Sequence, residues 1–260
     1  MKLTHRLTTI AAAITTSAAA FTGTTALAQD EAPQPVVNFN TTPNQPVTNN
    51  SGLSWEELTP GMEVIMDGGN CTAGFFAEDA ETAETVMITA GHCADQGGEV
   101  FSWKSPDGLQ KTLGTASAFT IPEDISSPGR LRDYATVPLD GSNRSVSPRI
   151  ANAYDVVMVL KPEDLKEGME LCKFGTRTQE TCGDFINLDQ GFIYSTNFNK
   201  PGDSGGPVYV KLGGNQVALV GIVARGDDMG QLYTTPAANI LEHEGLLLNG
   251  EYGYLPEAGL

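Results

Sequence analysis

The chain has 260 residues, with 32 Asp and Glu against 15 Lys and Arg, for a net charge of −17. That balance argues against nucleic acid and anionic membrane as partners, since both recruit basic surfaces. The length suffices for one two-part domain with a real core.

The N-terminus opens on a basic stretch (Lys2, His5, Arg6), continues through mostly small or apolar residues 7–21, and reaches Ala26-Leu27-Ala28, an A-x-A cleavage site. Residues 1–28 therefore read as a signal peptide, too short and too rich in Thr for a membrane anchor. Cleavage near Ala28 would remove Lys2 and Arg6 and no acid, leaving the exported chain two units more negative. No later stretch is expected to span a bilayer; the apolar run Val217–Ala224 is short and broken by Gly221. Residues 29–60 have the Pro, Asn, Thr and Gln content of a disordered linker or short pro-segment. Residues 54–60 are predicted to make a turn of helix ending at Pro60. No Lys or Arg occurs from residue 7 to residue 103, so no trypsin-like cut can fall between the signal peptide and the first histidine beyond it.

From residue 61 the pattern changes to short β-branched or aromatic runs bounded by Gly, Asp and Pro: Met62–Met66, Thr72–Phe76, Thr85–Thr89, Val100–Trp103 and Thr112–Phe119. Residues 121–132 and 140–149 read as loops. A second set follows: Val156–Leu160, Glu170–Phe174, Phe185–Ile186, Gly191–Tyr194, Val208–Leu212, Val217–Ala224 and Gln231–Thr234. Thr235-Pro236 is predicted to cap and start a helix running to about Leu248. Repeated short strands at this spacing indicate an all-β barrel or sandwich.

Four cysteines in an exported chain read as disulfides. Pairing sequence neighbours, Cys71 with Cys93 and Cys172 with Cys182, is the simplest of three connectivities. The spacings are too wide and histidine too scarce for a zinc site, so no metal is expected.

The chemistry is concentrated in Pro201-Gly202-Asp203-Ser204-Gly205-Gly206-Pro207. A serine hydroxyl needs a neighbouring base to act as a nucleophile, and the oxyanion it creates needs preorganised donors. The flanking glycines let the backbone turn so that the amides of Gly202 and Ser204 can supply them. His92 is the candidate base, because His5 leaves with the signal and His243 falls on the predicted C-terminal helix. Asp133, at the head of Asp-Tyr-Ala-Thr-Val, is the candidate orienting carboxylate; Asp95, Asp124 and Asp140 are its rivals.

Thr89-Ala90-Gly91-His92-Cys93, Asp133-Tyr134-Ala135 and Gly202-Asp203-Ser204-Gly205-Gly206-Pro207 resemble the chymotrypsin-like (trypsin-fold) serine proteases, and the cysteine segments look most like the bacterial streptogrisin branch. The resemblance covers roughly residues 61–248. It implies two six-stranded antiparallel β-barrels, about 61–140 and about 150–248, with the site in the cleft between them and a short C-terminal helix, all within a protease domain over 61–260. It implies a secreted serine endopeptidase with His92, Asp133 and Ser204 as triad, protein or peptide substrates and no cofactor; a monomer is expected. Phe198, six residues before the serine, and Ala224 and Gly226 on a later strand would line the substrate pocket. Asp227 and Asp228 read as a solvated turn rather than a pocket for basic side chains.

Two departures stand out. The family's usual cysteine is missing from Asn197–Lys200. No junction exists to release an N-terminal amine for Asp203, so an internal arginine (Arg144, Arg149 or Arg177) is expected to pair with it. Two other readings remain: a catalytically silent secreted binding module, or an esterase or lipase in which Gly202–Gly206 is a G-x-S-x-G turn served by His243.

Overall fold

The computed structural model describes residues 57–66, 69–94, 100–104, 110–120, 133–140, 145–227, 229 and 231–248. The predicted signal peptide, most of the predicted linker, the rival carboxylates Asp95 and Asp124, and also Arg144 and Asp228, lie outside the described residues.

The second half is the more regular. Six strands, β13 (Glu170–Gly175), β14 (Gln179–Asp189), β15 (Phe192–Ser195), β16 (Pro207–Gly213), β17 (Gln216–Gly226) and β18 (Leu232–Pro236), pair in the order β17-β16-β13-β14-β15-β18. β18 returns to β17, and every ladder is antiparallel, so the sheet closes into a barrel. Alternation along the strands decides which side chains fill it. On β16 and β17, Val208, Val210, Ala218, Val220 and Val223 join Leu171, Phe185 and Ile193 in one buried cluster, while Tyr209, Leu219 and Ile222 belong to another. β12 (Tyr154–Val159) adds to β17 in parallel, with β11 (Arg149–Ile150) outside it.

The first half is two sheets. One is β3-β2-β6-β7, from β2 (Glu63–Met66), β3 (Gly69–Thr72), β6 (Val100–Lys104) and β7 (Gln110–Thr115). The other holds β4 (Phe75–Asp79), β5 (Thr85–Thr89), β8 (Ala118–Thr120) and β9 (Tyr134–Pro138), with β19 (Leu246–Leu248) on its edge. Val64, Phe101 and Leu113 of the first sheet meet Phe76, Met87 and Val137 of the second in a common core. The opposite face of the second sheet (Phe75, Ala77, Val86, Ile88 and Tyr134) packs with Phe174, Tyr209, Leu219 and Ile222 of the barrel. A sheet covered on both faces is a rigid support, since each fully buried large apolar side chain is worth about 1.5–3 kcal/mol. The architecture is the chymotrypsin-like two-barrel all-β fold.

Three local expectations are corrected. Residues 57–60 are not helical: β1 (Glu57–Leu58) pairs in parallel with β10 (Ser145–Val146), inside a segment read as loop. The C-terminal helix is shorter than expected: α1 covers Ala237–Glu244 and ends at Gly245, whose left-handed backbone (φ 65°, ψ 35°) is the usual glycine stop. Its sequel is β19, which pairs with β4 of the first half. Finally, Phe185–Ile186 is the middle of the eleven-residue β14, whose many polar, partly exposed positions hid its length.

Candidate active site

Neighbouring antiparallel strands set the histidine beside the aspartate. Thr89 at the end of β5 pairs with Ala135 near the start of β9. The chain therefore leaves β5 and enters β9 at the same end, where a short 3-10 turn, Gly91–Ala94, carries His92 and Asp133 precedes β9. The Cys71–Cys93 disulfide ties this turn to β3, and Cys172 pairs with Cys182 directly across β13 and β14.

His92 Nδ1 lies 2.9 Å from Asp133 Oδ1 and 3.0 Å from Oδ2, and the His92 backbone amide donates to Oδ1 at 2.8 Å. Asp133 is fully buried, and the His92 side chain is 36 % exposed. Asp133 has a positive φ of 56°, uncommon for a residue other than glycine. Its carbonyl accepts the Thr235 hydroxyl at 3.2 Å, and the next residue, Tyr134, donates its hydroxyl to Glu244 of α1. Burial, then the Glu244 bond, pushes the Tyr134 phenol well above its ordinary range.

Ser204 reaches the same place from the other half. A cleft of about 440 Å³ is lined by His92, Asp133, Asn199, Lys200, Pro201, Ser204 and the Ala224–Asp227 end of β17. The Ser204 carbonyl accepts the Thr72 amide at 2.8 Å, and Val223 bonds both ways with the glycine pair: Gly205 N to Val223 O at 2.7 Å, Val223 N to Gly206 O at 2.8 Å. Gly205 has φ +85°, and a Cβ there would collide with Thr89 and the Thr72 carbonyl, so glycine is what lets the two halves meet. Gly202 has φ +101° and its carbonyl accepts both Thr72 Oγ1 (2.8 Å) and Thr176 Oγ1 (2.9 Å). Among the described residues, neither the Gly202 nor the Ser204 amide donates to a protein acceptor.

Among the described residues, Asp203 has no arginine side chain as partner. Its carboxylate faces Lys173 Nζ at 3.1 Å, with both side chains fully buried. It also accepts the Arg177 and Thr178 amides on one oxygen, and the Thr178 hydroxyl and Lys200 amide on the other. Arg177 thus contributes only its backbone, and Arg149 pairs with Asp155 at 2.8 Å. Burial raises the pKa of Asp203, but the Lys173 ammonium and the hydrogen bonds outweigh it and hold the carboxyl below its ordinary value. The missed residue carried a signal: a lysine amid the apolar residues of β13.

The proposed pocket residues divide. Ala224 and Gly226 line the cleft; Phe198 does not, its side chain being half exposed with Lys200 Nζ 5.4 Å from its ring. Asn199 takes the place expected for Phe198. Asn197, in the segment that lacks the family's usual cysteine, is buried and donates to the carbonyls of Leu171 (2.7 Å) and Thr181 (3.0 Å). Asp227 holds a turn, accepting the Met229 and Gln231 amides (2.8 Å each), with Tyr194 Oη on its other oxygen at 2.7 Å. That last bond pushes the Tyr194 phenol up to about 12.

His243 is 64 % exposed beside Glu244 and does not line the cleft, so the esterase-like pairing with Ser204 is not assembled. Among the described residues, two clusters of ligand-type side chains, Cys71-His92-Cys93 and Glu170-Cys172-Cys182, each consist of a disulfide plus one residue and offer no thiolate. Among the described residues no helix is long and apolar enough to cross a membrane.

No family model matches the sequence. Two Mycobacterium tuberculosis proteins are similar to it. Uncharacterized protein MT1863 (strain CDC 1551 / Oshkosh) is 32% identical over 173 residues, which is 63% of this chain and 71% of that protein. Uncharacterized protein Rv1815 (strain H37Rv) is 33% identical over 172 residues, with the same 63% and 71% coverage. Among solved structures, Thermobifida fusca Protease A superimposes with a TM-score of 0.56 at 24% identity, over 75% of this chain and 100% of that one. Cellulomonas bogoriensis chymotrypsin gives 0.54 at 24%, covering 73% and 97%. Nocardiopsis protease gives 0.54 at 20%, covering 76% and 100%. These likenesses are likenesses of fold.

Proposed function

Because this chain belongs to the same family as the two Mycobacterium tuberculosis proteins and has the chymotrypsin-like fold, we propose that it is an exported serine endopeptidase acting through an acyl-enzyme on Ser204. The observation that carries this reading is the His92–Asp133 pair, at 2.9 Å, set in one cleft with Ser204.

In the proposed cycle the Ser204 hydroxyl attacks the scissile carbonyl while His92 Nε2 takes its proton. The Nδ1–H of His92 donates to Asp133, which fixes the tautomer and stabilises the imidazolium that forms. The amides of Gly202 and Ser204 meet the developing oxyanion, and the two threonine hydroxyls on the Gly202 carbonyl hold the Gly202–Asp203 peptide that lies between those amides. His92 then protonates the leaving amine. A water molecule, losing its proton to His92, attacks the ester and restores Ser204.

Two further observations support the reading. The disulfides suit an oxidising compartment, in keeping with export after cleavage near Ala28. Lys173 gives Asp203 an internal cation, so the turn before Ser204 needs no newly cut N-terminus to be held in place.

The test is intact-mass analysis of residues 29–260 after treatment with a fluorophosphonate, beside Ser204→Ala and His92→Ala, followed by peptide-library profiling. One adduct on the wild type, none on either variant, and cleavage of peptides is the expected result. A folded, disulfide-intact wild type that takes no adduct would overturn the reading in favour of a protease-fold binding module.

A further inference from the structure

Two walls flank the space beside Ser204. One is Asn199-Lys200-Pro201, leading into the serine turn; the other is the end of β17, Ala224-Arg225-Gly226. In the peptidase proposed above, the side chain just before the scissile bond would enter between these walls. The Asn199 side chain reaches across the gap between them: Nδ2 donates to the Gln231 carbonyl at 3.2 Å, and the amide lies against Gly226 so closely that a Cβ on that glycine would come within 2.7 Å of Oδ1 and 3.1 Å of Nδ2.

The crossing is anchored at its far end. The Gln231 carbonyl that holds Asn199 also accepts the Asp227 amide at 3.0 Å, and the Asp227 carboxylate in turn takes the amides of Met229 and Gln231 and the Tyr194 hydroxyl. A substrate side chain that pushed Asn199 aside would break its bond to a carbonyl in this knot. The charges alongside are Lys200 and Arg225, with Asp227 already engaged by three donors. Among the described residues the Arg225 guanidinium lies over the Tyr233 ring at 4.8 Å.

We propose that Asn199 is the specificity-determining residue of this cleft, its amide closing the gap between Pro201 and Gly226 so that only small uncharged side chains, alanine or serine, are accepted before the scissile bond. The proposal rests on the reading of the site as a serine peptidase. Large aliphatic and aromatic side chains, and the long chains of Lys and Arg, are excluded by contact with the amide.

The test uses the full chain and acyl-tetrapeptide p-nitroanilides that differ only in the last residue: Ala, Leu, Phe or Lys. The wild type should favour Ala over Phe in kcat/KM by about tenfold or more, the scale at which a pocket wall discriminates by size. Asn199→Ala should raise the Phe-to-Ala and Leu-to-Ala ratios of kcat/KM by about tenfold. A thermal melt checks that the variant folds, and the wild-type ratio decides even if it does not. A wild type that prefers Phe or Lys, or a folded Asn199→Ala with an unchanged ratio, overturns the proposal. Fluorophosphonate labelling of Ser204 separates the failures. Labelled enzyme with the wrong preference overturns the role of Asn199 alone; unlabelled protein that cleaves none of the four overturns the peptidase reading and this inference with it.

Discussion

The ammonium of Lys173 lies 3.1 Å from the carboxylate of Asp203, and neither side chain is exposed to solvent. Removing one member of such a pair strands the other in a medium that cannot solvate it, at a cost of about 3–5 kcal/mol. Lys173→Met should lower stability by that amount in urea unfolding, and Lys173→Met combined with Asp203→Asn by less. A loss under about 1 kcal/mol, typical of an exposed pair, would show that the two charges do not depend on each other.

The same carboxylate should make the fold acid-sensitive. Its pKa in the fold lies below the ordinary 3.8, because Lys173 and the hydrogen bonds from Thr178 and Lys200 overcome its burial. A carboxyl depressed in this way binds fewer protons folded than unfolded, so its contribution is fully present above pH 3.8 and is lost as the pH falls through the lowered value. The Tm gap between wild type and Asp203→Asn should be constant above about pH 5 and narrow below about pH 4. A gap that stays constant through acid would contradict this assignment.

Asp133→Asn should fold with its backbone unchanged yet lose about 10⁴-fold in kcat, because an amide there no longer selects the histidine tautomer that leaves Nε2 free to accept a proton. Steady-state kinetics on a peptide substrate checks it; a loss under about tenfold would mean that His92 is oriented by something else.

Asp133 is held in its positive-φ conformation partly by the Thr235 hydroxyl on its carbonyl at 3.2 Å. Thr235→Val keeps the shape and removes the donor, for an expected stability loss of about 1 kcal/mol. The loss should be accompanied by a fall in kcat larger than any change in KM, because the carboxylate moves and the substrate walls do not. Equal changes in kcat and KM, or none, would count against a positioning role.

The serine and histidine segments were legible because their residue types are dictated by chemistry: a glycine that alone permits the approach at Gly205, and a histidine beside a cysteine on a tight turn. The cation for Asp203 was not, since nothing local ties residue 173 to residue 203; the β13–β16 pairing of Lys173 with Val208 and the bonds from Arg177 and Thr178 to Asp203 bring them together. Asn199 was overlooked for the neighbouring Phe198. The offset from the serine named a position, but whether a side chain faces the cleft or the solvent depends on how the loop is pinned. Here Thr181 Oγ1 binds the Phe198 carbonyl at 2.7 Å while the ring stays half exposed. The end of α1 was readable at Gly245 and was missed because the apolar Leu246–Leu248 continued a helical-looking pattern; its partner strand, β4, lies far back in the chain.

That long-range pairing bears on when the molecule becomes competent. Leu246–Leu248 completes the edge of the sheet that carries Thr89 and Ala135, the neighbours of His92 and Asp133. Partners this distant in sequence meet late, because the intervening chain must be gathered before their contact gives anything back. For a chain that crosses a membrane N-terminus first, the sheet under the histidine and the aspartate keeps an open edge until the whole second barrel has emerged. For the exported peptidase proposed above, the site would then be finished only after transit, and the machinery that carries the chain would never face it.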